Sequence, residues 1–379
     1  GLVGSYPGLE FGVGAPAVRV RIRSQSVSLW PVSTSSAEGA LDRSVVAGEN
    51  LESRRLMTFQ GFASPTLVEN AGFPPRQVAT GDLNRDGIPD LVTADAGNSV
   101  VKFALGRGDG SFGEIRHMVP GGTEVSNPMV ADFNRDGRLD IAVTSRSLGY
   151  SAKVFLGNGD GTFGGPSSTL ISSYNVGQPV VADLNGDGAP DLATPTIGVD
   201  PSTYMAYSVA RIVLNNGNGT FRDIGAVQLS LNRRTDEVVQ SGTSGDINRD
   251  GRQDLVFAHR GSGHLSVLLG NGNGSFQTPQ RIDVGRTAPT AVRLADLNGD
   301  QHLDVVVTKS SANAVGVGLN NGTGGFSFRD VAVGSNPQSL AIGDVNRDGR
   351  VDVVTANLGS DNLTLLPGLG NGSFGTASQ

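Results

Sequence analysis

The chain of 379 residues contains no cysteine, so neither a disulfide framework nor a thiolate zinc site can hold it together, and thiols say nothing of its redox compartment. No apolar run reaches the ~18 residues of a membrane-spanning helix. The first residues also lack a basic start followed by an apolar core, so neither a membrane span nor a signal peptide is expected. Charge is scarce at 17%, with a formal net of -7 and no dense basic cluster, which argues against a phosphate-binding groove for nucleic acid. Histidine occurs four times, leaving little choice of catalytic base. No nucleophile elbow or HExxH is present, and no G-x-G-x-x-G opens a helix after a strand.

What the chain has is 55 glycines among brief Val-, Leu- and Ile-rich runs, the composition of many short strands joined by turns. The runs repeat. "DLNRDGIPD" at 82 recurs as "DFNRDGRLD" at 132, "DLNGDGAPD" at 183, "DINRDGRQD" at 246, "DLNGDQHLD" at 296 and "DVNRDGRVD" at 344. Each is followed by a glycine-rich string such as "GRGDGSF", "GNGDGTF" or "NNGNGTF", ending at Phe112, Phe163, Phe221, Phe276, Phe326 and Phe374. The steps between successive starts are nearly equal, except for a longer one from Asp183 to Asp246. Their length suits a four-stranded propeller blade better than a helical repeat.

Within a unit, one strand runs into the Asp-rich loop and a second leaves it. A third enters the Gly-rich loop, whose glycines supply the positive φ of tight hairpins, and a fourth follows the Phe. Phe62 precedes Asp82 by the same interval as Phe112 precedes Asp132, so a fourth strand is expected after Phe62. "VGAPAVRVRI" at 13 resembles "VGSNPQSLAI" at 333 and would open a degenerate blade. The expected fold is therefore all-β, a seven-bladed β-propeller of four-stranded blades spanning 1–379. Residues 1–61 would form a degenerate blade and ring closure, and 62–374 six repeats; six blades plus an N-terminal segment is the alternative. The first dozen residues would supply the outer strand of the last blade, since closure removes exposed sheet edges.

The D-x-N-x-D-G-x-x-D loop places oxygen donors at positions 1, 3, 5 and 9, a backbone carbonyl at 7 and a turn glycine at 6. That is the donor logic of the first nine EF-hand positions, and hard oxygens at this spacing point to calcium. Asp and Asn also make turns, but a turn does not require an acid at position 9, and crowded carboxylates repel one another unless a cation neutralises them. The expected ligands are Asp82, Asn84, Asp86, the Ile88 carbonyl and Asp90; Asp132, Asn134, Asp136, the Arg138 carbonyl and Asp140; and Asp183, Asn185, Asp187, the Ala189 carbonyl and Asp191. The later loops offer Asp246, Asn248, Asp250, the Arg252 carbonyl and Asp254; Asp296, Asn298, Asp300, the His302 carbonyl and Asp304; and Asp344, Asn346, Asp348, the Arg350 carbonyl and Asp352. The fifth loop carries Gln301 where the others have glycine, and it is expected to be the weakest site. About six structural calcium ions would turn the net charge positive and staple a chain that lacks disulfides. Such loops lack the twelfth-position Glu, so calcium near extracellular levels would fill them. A secreted or cell-surface location is expected.

With both motifs in phase over residues 62–374, the sequence resembles the FG-GAP/VCBS repeat family, the calcium-binding propeller of integrin α subunits, its bacterial relatives and fungal propeller lectins of similar build. The "GNGDGTF" style is closer to the bacterial members. The resemblance implies seven blades, calcium between strands one and two, and a role in adhesion or ligand recognition. The segment 1–61 departs from the pattern.

Insertions in "TIGVDPSTYMAYS" and "QLSLNRRTDEVVQSG" fall at the blade ends opposite the Asp-rich loops. There Tyr204, Tyr207, Arg233 and Arg234, with His259, Arg260 and His264 from a neighbouring hairpin, are the candidate ligand-binding residues; Arg146, Tyr150, Tyr174 and Arg286 share that end. Aromatic faces beside guanidinium forks suit sugars or acidic polymers. The function expected is a noncatalytic calcium-stabilised extracellular module that binds a glycan or cell-surface protein. A polysaccharide-active lyase or hydrolase using His259 and His264 is the alternative, and a scaffold within a longer chain is a third reading.

Overall fold

The fourth and second strands of a unit bury apolar residues differently, and that difference organises the fold. In the computed structural model, residues 77–174, 176–199, 202, 206–229, 239–285 and 287–379 are described. Blade one comprises β1 Val78–Gly81, β2 Asp90–Asp95, β3 Val100–Ala104 and β4 Arg116–Met118. Blade two comprises β5 Thr123–Ala131, β6 Asp140–Arg146, β7 Tyr150–Phe155 and β8 Ser167–Ser172. Blade three holds β9 Val180–Ala182, β10 Asp191–Val199, β11 Ala206–Asn215 and β12 Phe221–Gln228. Blade four holds β13 Val239–Gly245, β14 Asp254–His259, β15 His264–Leu268 and β16 Gln280–Asp283. Blade five holds β17 Pro289–Ala295, β18 Asp304–Lys309, β19 Ala314–Asn320 and β20 Phe326–Ala332. Blade six holds β21 Pro337–Gly343, β22 Asp352–Asn357 and β23 Asn362–Leu366.

Strands follow chain order within every sheet, and all pair antiparallel. The second strands are apolar on both sides because a blade lies against each face: Val305, Val306 and Val307 of β18 are all fully buried. Fourth strands form the outer edge and alternate, as in β8, where Ser168 and Leu170 are exposed and Ser167 and Thr169 are half-buried. The core is divided among five apolar clusters, each shared by two consecutive blades. In one of them Leu83, Val92 and Val101 of blade one meet Val125, Ile141 and Phe155 of blade two.

The strand scheme read from the repeats therefore holds, and the fold is an all-β propeller of four-stranded blades. The blade count is corrected: the described residues form six blades, not seven. The expected seventh draws on residues 1–61 and Phe62, which lie outside the described residues. Blade six departs from its neighbours in having three strands, its fourth reduced to a bridge between Leu365 and Ser378.

Candidate metal loops and the opposite blade ends

Each Asp-rich loop connects the first two strands of a blade and folds around its own side chains. In the first, the Asp86 N–H donates to Asp82 Oδ1 at 3.1 Å and Asn84 Oδ1 at 3.2 Å, and the Gly87 N–H donates to Asp82 Oδ2 at 2.8 Å. Asn84 Nδ2 donates to Asp86 Oδ2 and the Ile88 N–H to Asp86 Oδ1, both at 2.8 Å. The second, fourth and sixth loops repeat this network. Positions 1, 3 and 5 are thereby gathered on the inner side of one turn.

Two positions in the turn are left-handed. Position 6 is glycine except in the fifth loop, where Gln301 has φ 67°. Position 4, which sequence reasoning passed over, is equally left-handed: Arg85, Arg135, Arg249 and Arg347 have φ between 60° and 63°. The fifth loop has glycine at position 4 instead, Gly299, so it moves its non-glycine residue from one left-handed position to the other. The Gln301 side chain accepts a 3.2 Å bond from Arg249 of the preceding loop.

The acid at position 9 has a different task from the other three donors. Asp90, Asp140, Asp191, Asp254, Asp304 and Asp352 are all fully buried. Each gives Oδ2 to the N–H of loop position 2, at 2.7–3.0 Å. Each gives Oδ1 to the N–H that opens the Gly-rich loop, at 2.7–2.8 Å, through Gly106, Gly157, Asn215, Gly270, Asn320 and Gly368. Burial pushes these carboxyls above the usual range, to about 6 for Asp191, against the backbone donors that pull them down. The carboxylates at positions 1 and 5 raise Asp90, Asp140, Asp191, Asp254 and Asp304 further.

This acidic nest fits a hard cation in its donor chemistry: two carboxylates and an amide oxygen on one turn, with a buried carboxylate behind them. Among the described residues no three Asp, Glu or His side chains form a cluster able to hold a metal. In blade two Arg138 places its guanidinium 2.6 Å from Asp136 Oδ2, and in blade four Arg252 lies 3.8 Å from Asp250. Part of the negative charge there is already matched.

At the opposite blade ends, Tyr204, Arg233, Arg234 and Arg286 lie outside the described residues. Tyr207 is half-buried on β11, its ring lying across Gly198 of β10, where a Cβ would sit only 2.8 Å from it. Arg260 is exposed in the turn between β14 and β15. His259 and His264 do not line an open surface: both are buried, a cross-strand pair with rings stacked at 4.0 Å. Ser266 Oγ donates to the Leu229 carbonyl at 2.7 Å and lies 2.8 Å from His259 Nε2, an arrangement in which Nε2 carries a hydrogen. His259 Nδ1 has no hydrogen-bond partner. Burial, then the neighbouring positive groups, lowers His259 to about 3 and His264 to about 4.

The structure ties Arg146 and Tyr150, which the sequence placed at this end, to Glu124, which it did not single out. Tyr150 donates its hydroxyl to Glu124 Oε2 at 2.5 Å, Arg146 Nη1 donates to Glu124 Oε1 at 2.8 Å, and the guanidinium sits 5.9 Å from the Tyr150 ring centre. Beside it, Leu148 is 102% exposed, Leu170 58%, Tyr174 48% and Ile197 43%. Leu170 approaches Gly149, next to Leu148; the Tyr174 N–H bonds Ser172 Oγ, and Ser172 Oγ meets Thr196 Oγ1 at 2.9 Å. The one sequence signal is a leucine at the tip of a two-strand turn, "SRSLGY", where a polar residue is usual.

Comparison with known proteins follows the repeats. The profile of a family described as an FG-GAP-like repeat matches residues 82–143, 144–194, 202–257, 246–307 and 296–355. No curated protein sequence matches significantly. Among solved structures, a lectin of Agrocybe aegerita that recognises non-reducing terminal N-acetylglucosamine is similar, at 22% identity and TM-score 0.55 over 79% of both chains. A lectin of Burkholderia pseudomallei aligns at 14% identity and TM-score 0.57 over 79% of this chain and 83% of its own. The periplasmic gluconolactonase of Pseudomonas aeruginosa aligns at 16% identity and TM-score 0.55 over 78% and 82%. At these identities the likeness is one of fold.

Proposed function

The chain belongs to the FG-GAP-like repeat family, and from that premise we propose that it is a noncatalytic extracellular recognition module that binds a glycan at the blade ends opposite its Asp-rich loops. The observation that carries this reading is the exposed group of Leu148, Leu170, Tyr174 and Ile197 beside the Arg146–Glu124–Tyr150 network. Exposed apolar side chains at one end of a blade suit a contact site. Ser147 and Ser172 lie in the same segments, and such a mixture suits a sugar, whose C–H faces pack on apolar side chains while its hydroxyls seek polar partners. Two of the similar structures are lectins, which agrees with the reading.

Calcium is the cation we assign to the Asp-rich loops. Asp82, Asn84 and Asp86 with the Ile88 carbonyl, and their counterparts in the other five loops, would hold it. Bound there, it would neutralise the crowded carboxylates and tie the turn. The position 9 acid, Asp90 in the first loop, ties the turn to the Gly-rich loop through its two N–H bonds and would stand behind the ion as a further oxygen donor.

The test is retention of the calcium-loaded protein on a panel of immobilised neutral and acidic glycans, compared with Leu148→Asp and Tyr174→Ala. Retention that both variants abolish supports the reading. Retention that both leave intact removes the site, and retention by no glycan but by a protein surface replaces the ligand class. New reducing ends or unsaturated products on a retained glycan would install the polysaccharide-active alternative, with a base other than the buried His259 and His264.

A further inference from the structure

The first strands form the inner wall of the propeller. Each is an edge of its sheet, and successive ones approach one another: β1 meets β5, β9 meets β13, and β17 lies between β13 and β21. Among the described residues this wall carries two charged side chains, Glu124 on β5 and Arg293 on β17. Glu124 is committed to Arg146 and Tyr150. Arg293 has no acid of the described residues for a partner. Its one described bond runs from Nη1 to the carbonyl of its own neighbour Val292, at 2.7 Å.

The repeat does not ask for this arginine. Three places before the first Asp of the loop, the other blades have Ala79, Met129, Val180, Thr243 and Ala341, none of them charged. In blade five the position faces the same way as Ala295 and as its cross-strand partner Val306, and these two pack against Leu340 and Val353 of blade six. A guanidinium taken out of water among such residues is unfavourable unless a counter-charge meets it. Burial accordingly lowers Arg293 from its ordinary value, with no carboxylate of the described residues acting against it, yet a guanidinium keeps its charge at neutral pH.

β17 has a sheet partner on one side, β18, so its other edge is open to the interior. The bond to Val292 occupies Nη1 alone. Nε–H and Nη2–H make no described bond, and neither is sealed from solvent. They stand side by side, as the fork that meets two oxygens of a carboxylate or phosphate does.

We propose that the interior of the propeller binds a small oxyanion, a carboxylate, sulfate or phosphate group, clamped side-on by Nε and Nη2 of Arg293. The anion supplies the counter-charge that the inner wall lacks. The site does not draw on the glycan or the calcium assignment, since Arg293 belongs neither to the Asp-rich loops nor to the group around Leu148.

The probes are acetate, sulfate and inorganic phosphate, each titrated into the full chain in Tris chloride at constant ionic strength. Thermal unfolding and the NMR resonance of the Arg293 Nε–H are the readouts. The resonance, assigned by its loss in Arg293→Met, should move saturably, and the melting temperature should rise with the logarithm of anion concentration. Arg293→Met should abolish that rise. Arg293→Lys, which keeps the charge but loses the fork, should weaken binding by roughly tenfold or more. With no probe added, Arg293→Met should melt no lower than the unmodified protein, because an apolar side chain replaces an unpaired charge among apolar neighbours. Whichever probe saturates first identifies the oxyanion as planar or tetrahedral. The methionine variant keeps every Asp-rich loop, so a rise that it shares with the unmodified protein comes from elsewhere and overturns the proposal. A resonance that does not move overturns it as well. So does an Arg293→Met that melts lower with no probe added, since the guanidinium would then already hold a partner within the chain.

Discussion

Asp90 Oδ1 accepts the Gly106 N–H at 2.7 Å, and this bond joins the two repeated motifs of blade one across 16 residues. With the companion bond from the Leu83 N–H to Oδ2, one buried carboxylate closes both loops at the same end of the sheet. The same pair of bonds recurs in the other five blades, and it gives a physical reason for an acid at position 9 that does not depend on a metal.

Replacing Asp254 by Ala should therefore cost roughly 2–5 kcal/mol, because two buried N–H groups, of Ile247 and Gly270, lose their acceptor. Denaturant unfolding in excess chelator reads this without any contribution from bound ions. A loss below about 1 kcal/mol would mean that water satisfies both donors and that the carboxylate is not the closing element.

Calcium added to chelated protein should raise the melting temperature, and the gain should grow with the logarithm of free calcium. Mass spectrometry under native conditions would count the ions. An unchanged melting temperature together with a zero count would end the calcium assignment, leaving the six loops as hydrogen-bonded turns.

Gln301→Gly should stabilise the protein by about 0.5–1 kcal/mol, since a side chain leaves a φ of 67°. The bond from Arg249 is lost in exchange, and exposed hydrogen bonds of this kind contribute little. Matched thermal unfolding of the two proteins decides it: a destabilised variant would show that the contact between neighbouring loops outweighs the backbone strain.

His259 gives the protein an acid limit. Its folded value of about 3 lies below the ordinary 6.5, so between these values the unfolded chain binds the proton and the folded chain does not. Stability is then highest above pH 6.5 and falls as pH is lowered toward 3. By pH 5 the loss from this one ring is on the order of 2 kcal/mol. Urea midpoints at neutral and mildly acid pH should converge in His259→Phe; an unchanged acid slope would show that other groups set it.

The strands and both loop types were legible because local signals agreed: period, turn glycines and apolar runs all pointed to the same unit. The ends of the hairpins were not. His259 and His264 flank "RGSG", a turn sequence that reads as exposed, but Leu229, 37 residues before Ser266, supplies the carbonyl that anchors the pair from elsewhere in the chain. Ser172 and Thr196 belong to different blades, and their hydroxyls meet only when the blades stack. Likewise the left-handed Arg85 carries no local mark, since arginine is neutral in most turns and its φ is imposed by the bonds that Asp82 and Asn84 make.

The bonds between successive blades have a polarity: the N–H groups of Gly161, Gly219, Gly274 and Gly372 reach backward to the carbonyls of Leu83, Phe133, Leu184 and Leu297, and Asn320 Nδ2 does the same for Ile247. An interface between unlike surfaces specifies the next member but no total, so the size of the ring is decided by the turn accumulated per step. Duplicating or deleting one whole unit would preserve every internal contact and change only where the circle meets itself. Tandem gene duplication could thus lengthen such a chain without inventing a new interface, and the burden of adaptation would fall on the two terminal blades.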